Sequence, residues 1–77
     1  MTLKRVCVVF AQILGCDQAQ LDSSTDLSSL KLDSFEAVEL ISSLEEEFGV
    51  KLKTAQIKKL KTVGEVAELV DALQADR

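Results

Sequence analysis

The sequence predicts an all-α fold, a small bundle of three main helices plus one short helix. Three observations carry that expectation. Apolar residues recur at helical spacing in three separate segments. Two of these segments stop at a glycine, Gly15 and Gly49, and the residue just past a helix C-terminus commonly takes a positive φ. Two segments open on a residue able to cap, Asp33 and Thr62, each followed three positions later by a glutamate. The 77 residues make a single domain, 1–77. A core of this size supplies a net stability of about 3–5 kcal/mol.

The first helix is expected over residues 3–14, with a stripe of Leu3, Val6, Cys7, Phe10, Ile13 and Leu14. Thr2 is its expected N-cap and Gly15 its stop. Val8 and Val9 allow a rival strand over residues 6–10, but the length of the stripe and the glycine favour helix. Residues 16–33 show no clean period, and Ser and Asp dominate them. Leu21, Leu27, Leu30 and Leu32 are expected to pin this long connection onto the bundle, and long connections in small domains are often functional. Residues 34–48 carry the strongest pattern, read as one wide apolar stripe of Phe35, Val38, Leu40, Ile41, Leu44 and Phe48. Asp33 and Glu36 form a capping box at its start. A short helix from about Thr54 is anchored by Ile57 and Leu60. The last helix opens at Thr62-Val63-Gly64-Glu65 and runs through Val66, Leu69, Val70 and Leu73.

Composition narrows the function. The formal net charge is −4 and the only aromatics are three Phe, so neither phosphate contacts nor base stacking is expected and no nucleic acid is a partner. The chain has no His, which excludes His-based triads and His-ligated metals. Cys7 and Cys16 fit no zinc or redox spacing; Cys7 reads as a buried small hydrophobe, and Cys16 has no activating neighbour. No apolar run is long enough for a membrane span, and a cytoplasmic monomer is expected. Asp22, Ser24, Asp26, Ser28 and Asp33 fall at calcium-loop offsets, but Leu27 replaces the turn glycine and Asp33 the bidentate glutamate, so no metal site is expected.

Ser34 stands where the long connection meets the acidic helix. Its bland reading is a first-turn helix residue. Its sharper reading is a modification site, since a phosphoester there would lie by the helix N-terminal N–H groups. Asp33 and Glu36 oppose such an anion, and nothing visible activates the hydroxyl as a nucleophile. Charge is segregated along the chain. Residues 17–50 hold nine acids and one base, and residues 51–61 hold five lysines and no acid. Glu36, Glu39, Glu45, Glu46 and Glu47 have a plain reading as a solvated face. Three of them crowd the helix C-terminus, where a negative charge costs about 0.3–1 kcal/mol, so a partner is expected to account for them. The lysines fit either a partner role or an internal offset of those acids.

These residues resemble a known family. Leu30-Lys31-Leu32-Asp33-Ser34-Phe35 is similar to the L-G-x-D-S-L signature of acyl carrier proteins. The likeness continues through Glu36-Ala37-Val38-Glu39-Leu40 and Leu44-Glu45-Glu46-Glu47-Phe48-Gly49. Thr25-Asp26-Leu27 upstream and Thr62-Val63-Gly64-Glu65-Val66 downstream resemble the family's loop and its last-helix opening. The resemblance implies an acyl-carrier-protein-like bundle and no catalysis by the chain itself. It implies that Ser34 receives 4′-phosphopantetheine from coenzyme A through a phosphopantetheinyl transferase, and that the arm bears acyl groups as thioesters. It further implies docking through Asp33, Phe35, Glu36, Glu39, Glu45 and Glu46 onto acyl-loading, synthase or acyltransferase enzymes with basic patches. Three departures stand out: Lys31 replaces the signature glycine, Phe35 replaces its leucine, and the Lys-rich segment replaces a region that is often acidic in fatty-acid carriers. They point to a specialised fatty-acid, polyketide or lipid pathway. Met1 and the compact ends lead to the expectation of a free-standing protein. The rival reading is a cofactor-free helical interaction module using the acidic helix 34–48.

Overall fold

The computed structural model describes residues 2–75. Four α-helices appear in order: α1 (Thr2–Leu14), α2 (Ser34–Phe48), α3 (Thr54–Lys58) and α4 (Val63–Ala75). No strand forms among the described residues. The fold class is the expected one.

The first helix buries Val6, Cys7, Val9, Phe10 and Ala11, and packs against both α4 and α2. It ends as the glycine predicts: Gly15 takes φ +71°, and its N–H donates to the Ala11 carbonyl at 2.8 Å. Thr2 is not the N-cap. It is already helical, and its hydroxyl donates to the Asp71 carboxylate of α4.

The connection from α1 to α2 is more ordered than its composition suggests. It holds two 3₁₀ turns, Gln18–Gln20 and Leu27–Leu30, each opened by an aspartate. Asp17 accepts from the Ala19 N–H at 3.0 Å and Asp26 from the Ser28 N–H at 2.9 Å. Leu21 is buried, while Leu27, Leu30 and Leu32 are half-buried against the core. Backbone bonds then tie this loop to the chain ahead of α4. The Leu27 N–H donates to the Lys61 carbonyl at 2.8 Å, and the Val63 and Gly64 N–H groups donate to the Thr25 and Ser23 carbonyls, each at 3.0 Å. Gly64 allows that approach: a Cβ there would lie 2.7 Å from the Ser23 carbonyl oxygen.

Helix α4 starts with its expected box. The Glu65 carboxylate accepts from the Thr62 N–H at 3.0 Å and from the Lys61 N–H at 2.7 Å, and the Glu65 N–H donates to the Thr62 hydroxyl at 3.2 Å. Val63, Val66, Ala67 and Val70 face the core. Leu52 and Ile57 anchor the short α3 and the chain before it, and Leu60 is half-buried. No buried side-chain N or O atom lacks a partner among the described residues, so the core is apolar and closed.

Candidate functional site

Helix α2 begins at Ser34 because Asp33 caps it. The Glu36 N–H donates to the Asp33 carboxylate at 2.7 Å, and the Asp33 N–H donates to the Glu36 carboxylate at 3.3 Å. The Ala37 N–H closes on the Asp33 carbonyl at 2.9 Å. The N–H groups of Ser34 and Phe35 remain among the orphans that open every helix. Ser34 is exposed, and its hydroxyl lies outside these capping bonds.

The chain reaches Asp33 through Lys31, which adopts the left-handed conformation with φ 52° and ψ 45°. It is the only non-glycine residue with positive φ among those described. The backbone therefore requires at residue 31 the conformation that glycine adopts most easily, and a Cβ there costs about 1–2 kcal/mol. Packing and capping on either side hold it in place.

Phe35 and Val38 do not join the core stripe. They are 71% and 57% exposed, whereas Leu40, Ile41, Leu44 and Phe48 are buried. Helix geometry gives the reason: at about 100° per residue, Phe35 sits on the side of the helix opposite Leu44. Counting that angle would have separated the two sets in the sequence; reading a single wide stripe merged them. Phe35, Val38, Glu39, Ser42 and Glu46 instead form one exposed strip at helical spacing, beginning beside Ser34.

The acids divide by position. Asp33 and Glu36 serve the cap, and Glu39 and Glu46 stand in solvent. Glu45 is half-buried, and its carboxylate accepts from the Leu52 N–H at 2.9 Å, fastening the turn after α2. Glu47 pairs with Arg5 of α1, whose guanidinium lies 6.0 Å from the centre of the Phe48 ring. Two of the three acids at the unfavourable end of α2 thus have a folding role that the sequence did not reveal. Gly49 ends the helix at φ 65°.

Burial pushes the Cys7 thiol up, with the Asp22 charge adding to it, so Cys7 is a poor nucleophile. No group of His, Cys, Asp and Glu able to hold a metal occurs among the described residues. An exposed hydroxyl at the start of a capped helix, with unpaired N–H groups beside it, fits a covalently attached phosphodiester.

Residues 4–70 match the family described as "Phosphopantetheine attachment site". The chain belongs to this family. Relatives include acyl carrier protein 2 of the chloroplast of Spinacia oleracea, 31% identical over 77 residues, covering 100% of this chain and 59% of that protein. The acyl carrier protein of Saccharopolyspora erythraea is 39% identical over 67 residues, covering 86% of this chain and 70% of the relative. The chloroplast acyl carrier protein 2 of Hordeum vulgare is 32% identical over 73 residues, covering 94% of this chain and 57% of the relative. The chain thus spans a little over half the length of the two plant proteins. The group of this family is 4′-phosphopantetheine, and its acyl carrier proteins carry cargo rather than catalyse. Lys31 stands where the resemblance puts the signature glycine, and in this chain that position is left-handed, the conformation glycine adopts most easily.

Proposed function

We propose that this chain is an acyl carrier domain over residues 1–77, bearing 4′-phosphopantetheine on Ser34. The observation that carries the assignment is the placement of Ser34: exposed, first in α2, and outside the Asp33–Glu36 box. The arm's thiol supplies the thioester linkage to the acyl group. The protein's own residues do three things. Asp33 and Glu36 fix the start of the helix, Ser34 would hold the arm's phosphodiester at the end of the helix whose first N–H groups lack intrahelical partners, and the strip from Phe35 to Glu46 meets partners. In the transfer the Ser34 oxygen bonds to the pantetheine-bearing phosphorus of coenzyme A as the pyrophosphate bond breaks and adenosine 3′,5′-bisphosphate leaves, and the phosphopantetheinyl transferase brings the base that takes the Ser34 proton. Further partners on this reading are acyl-loading, synthase or acyltransferase enzymes with basic patches, in a specialised fatty-acid, polyketide or lipid pathway. No helix among the described residues is long and apolar enough to cross a membrane. A cytoplasmic monomer is the accompanying expectation, checked by cell fractionation and sedimentation.

Incubation with coenzyme A and a broad-specificity transferase should add one phosphopantetheine mass to the intact protein and none to Ser34→Ala. An unchanged wild-type mass with several transferases, or addition to Ser34→Ala, would remove the assignment. Docking has its own test. Glu39→Lys with Glu46→Lys should weaken binding to a carrier-dependent enzyme while leaving the helical circular dichroism intact. Wild-type binding should weaken as salt rises, because exposed charges are screened within about 8–10 Å at 0.1–0.15 M.

A further inference from the structure

The Lys-rich segment has no visible work inside the fold. Lys51, Lys53, Lys58, Lys59 and Lys61 are all exposed. The one ion pair among the described residues, Arg5 with Glu47, involves none of them. Only Lys61 has a local electrostatic role, because its charge helps hold the Asp26 carboxyl down. Other groups organise the segment's backbone. Glu45 takes the Leu52 N–H, Gln56 takes the Lys53 N–H at 2.9 Å, and Leu52 and Ile57 supply the burial. Helix α3 has five residues, too few for its dipole to explain the clustered cations.

The basic segment adjoins the acidic helix: α2 and α3 are in contact, and Lys51 stands by Glu46. A groove of about 350 Å³ lies between the C-terminal half of α2 and the turn that follows it, lined by Ser42, Glu45, Glu46, Val50 and Lys51. Glu46 and Lys51 thus flank one concavity without forming an ion pair. Opposite charges set side by side but left apart suit a surface of inverse pattern.

We propose that Lys51, Lys53, Lys58 and Lys59 form a second docking strip. Its occupant is the protein that docks on α2, which presents carboxylates next to its basic patch. The inference rests on α2 being the docking helix. A uniformly basic partner is repelled by the strip, so it selects by rejecting wrong partners as well as by attracting the right one. A net charge of −4 disfavours an anionic membrane as the occupant.

The test uses three synthetic peptides of equal length: one Arg-rich in one half and Glu-rich in the other, one Arg-rich throughout, and one Glu-rich throughout. Binding is mapped on the backbone amides by NMR. Wild type should hold the mixed peptide about tenfold more tightly than the Arg-rich one, as a few exposed charge pairs together allow. Lys51→Glu, Lys53→Glu and Lys58→Glu combined should reverse that preference. The corresponding Lys→Gln triple should abolish it, and serves if the Glu triple fails to fold. Wild type preferring the Arg-rich peptide, or a ranking unmoved by both triples, would overturn the proposal. So would preferential, lysine-dependent binding to phosphatidylcholine–phosphatidylserine vesicles, or a lysine-dependent dimer of the free protein at low salt. The α2 reading is judged separately. If the Arg-rich half moves no α2 amide while the Glu-rich half still moves residues 51–61, the docking role of α2 fails and takes the shared occupant with it; α2 amides moving while residues 51–61 do not overturns the second strip alone.

Discussion

On the inner face of α2, Leu40, Leu44 and Phe48 lie in the core; on its outer face, Phe35 and Val38 stand in solvent beside Ser34. The residue types are alike, but their surroundings are not. Burying a side chain of this kind contributes about 1.5–3 kcal/mol. A domain with a net stability of about 3–5 kcal/mol leaves much of that contribution unused at Phe35. The same division runs through the acids. Glu45 and Glu47 have partners within the fold, and Glu39 and Glu46 face outward. One face of the helix therefore holds the bundle together, while the other leaves apolar and acidic side chains in solvent, the face proposed above to meet partners.

The widest separation between the faces should come from truncating each one. Leu44→Ala should cost about 3 kcal/mol, within the range for buried leucines, and leave the domain close to its unfolding midpoint. Phe35→Ala should change stability by no more than about 0.5 kcal/mol while weakening partner binding. Urea unfolding of both variants checks the pair; a Phe35→Ala loss as large as that of Leu44→Ala would place Phe35 in the core.

The acids give a finer version of the comparison. Glu45→Ala strands the Leu52 N–H and should cost about 1–2 kcal/mol, whereas Glu46→Ala should stay within about 0.5 kcal/mol. Equal costs in thermal melts would mean that the Glu45 contact adds nothing.

A third test concerns the approach to the outer face. Lys31 and Gly49 flank α2 in the same left-handed conformation, but only one of them is glycine. Lys31→Gly should relieve the strain and give back part of the gain to the freer unfolded chain. The net stabilisation expected is about 0.5–1 kcal/mol, or several degrees in Tm for a domain of this size. An unchanged or lower Tm would show that the lysine side chain offsets its own backbone cost.

The smallest effect is a pH dependence in the loop that leads to Ser34. Hydrogen bonds from the Ser24 hydroxyl and N–H, joined by those of Thr25, hold the Asp22 carboxyl below its ordinary 3.8. The Ser28 hydroxyl and N–H do the same for Asp26, with help from the Lys61 charge. Both folded values are depressed, so the unfolded chain binds more protons in this range. The stabilisation is fully present above the ordinary value and is lost as pH falls through the folded ones. Both groups are exposed, so the effect is modest. Asp26→Asn keeps an oxygen acceptor but cannot titrate, and its Tm should fall less than that of wild type from about pH 5 to about pH 2.5. Parallel curves would remove the Asp26 contribution.

Much of this was legible in the sequence because it is local. The Asp33–Glu36 and Thr62–Glu65 boxes, the stops at Gly15 and Gly49, and the bounds of α2 depend on residues within a turn or two of one another. The same neighbours made Ser34 legible as the first residue of α2, while its reading as a modification site came from the family resemblance along the chain. What the linear pattern left open lies between segments distant along the chain. The Asp71 partner of Thr2, the bond from the Leu52 N–H to Glu45, and the pairing of residues 23–27 with 61–64 across Gly64 all depend on how the elements meet. Caps and periodicity arise from bonds between near neighbours, so composition and spacing determine them. Which carboxylate finds an N–H, and which charges meet, depends on the packing of α1, α2 and α4 around one core. That packing put Glu45 to work within the fold, paired Glu47 with Arg5 and left Lys51 beside Glu46, whereas the exposure of Phe35 follows from the angle between it and Leu44 along one helix.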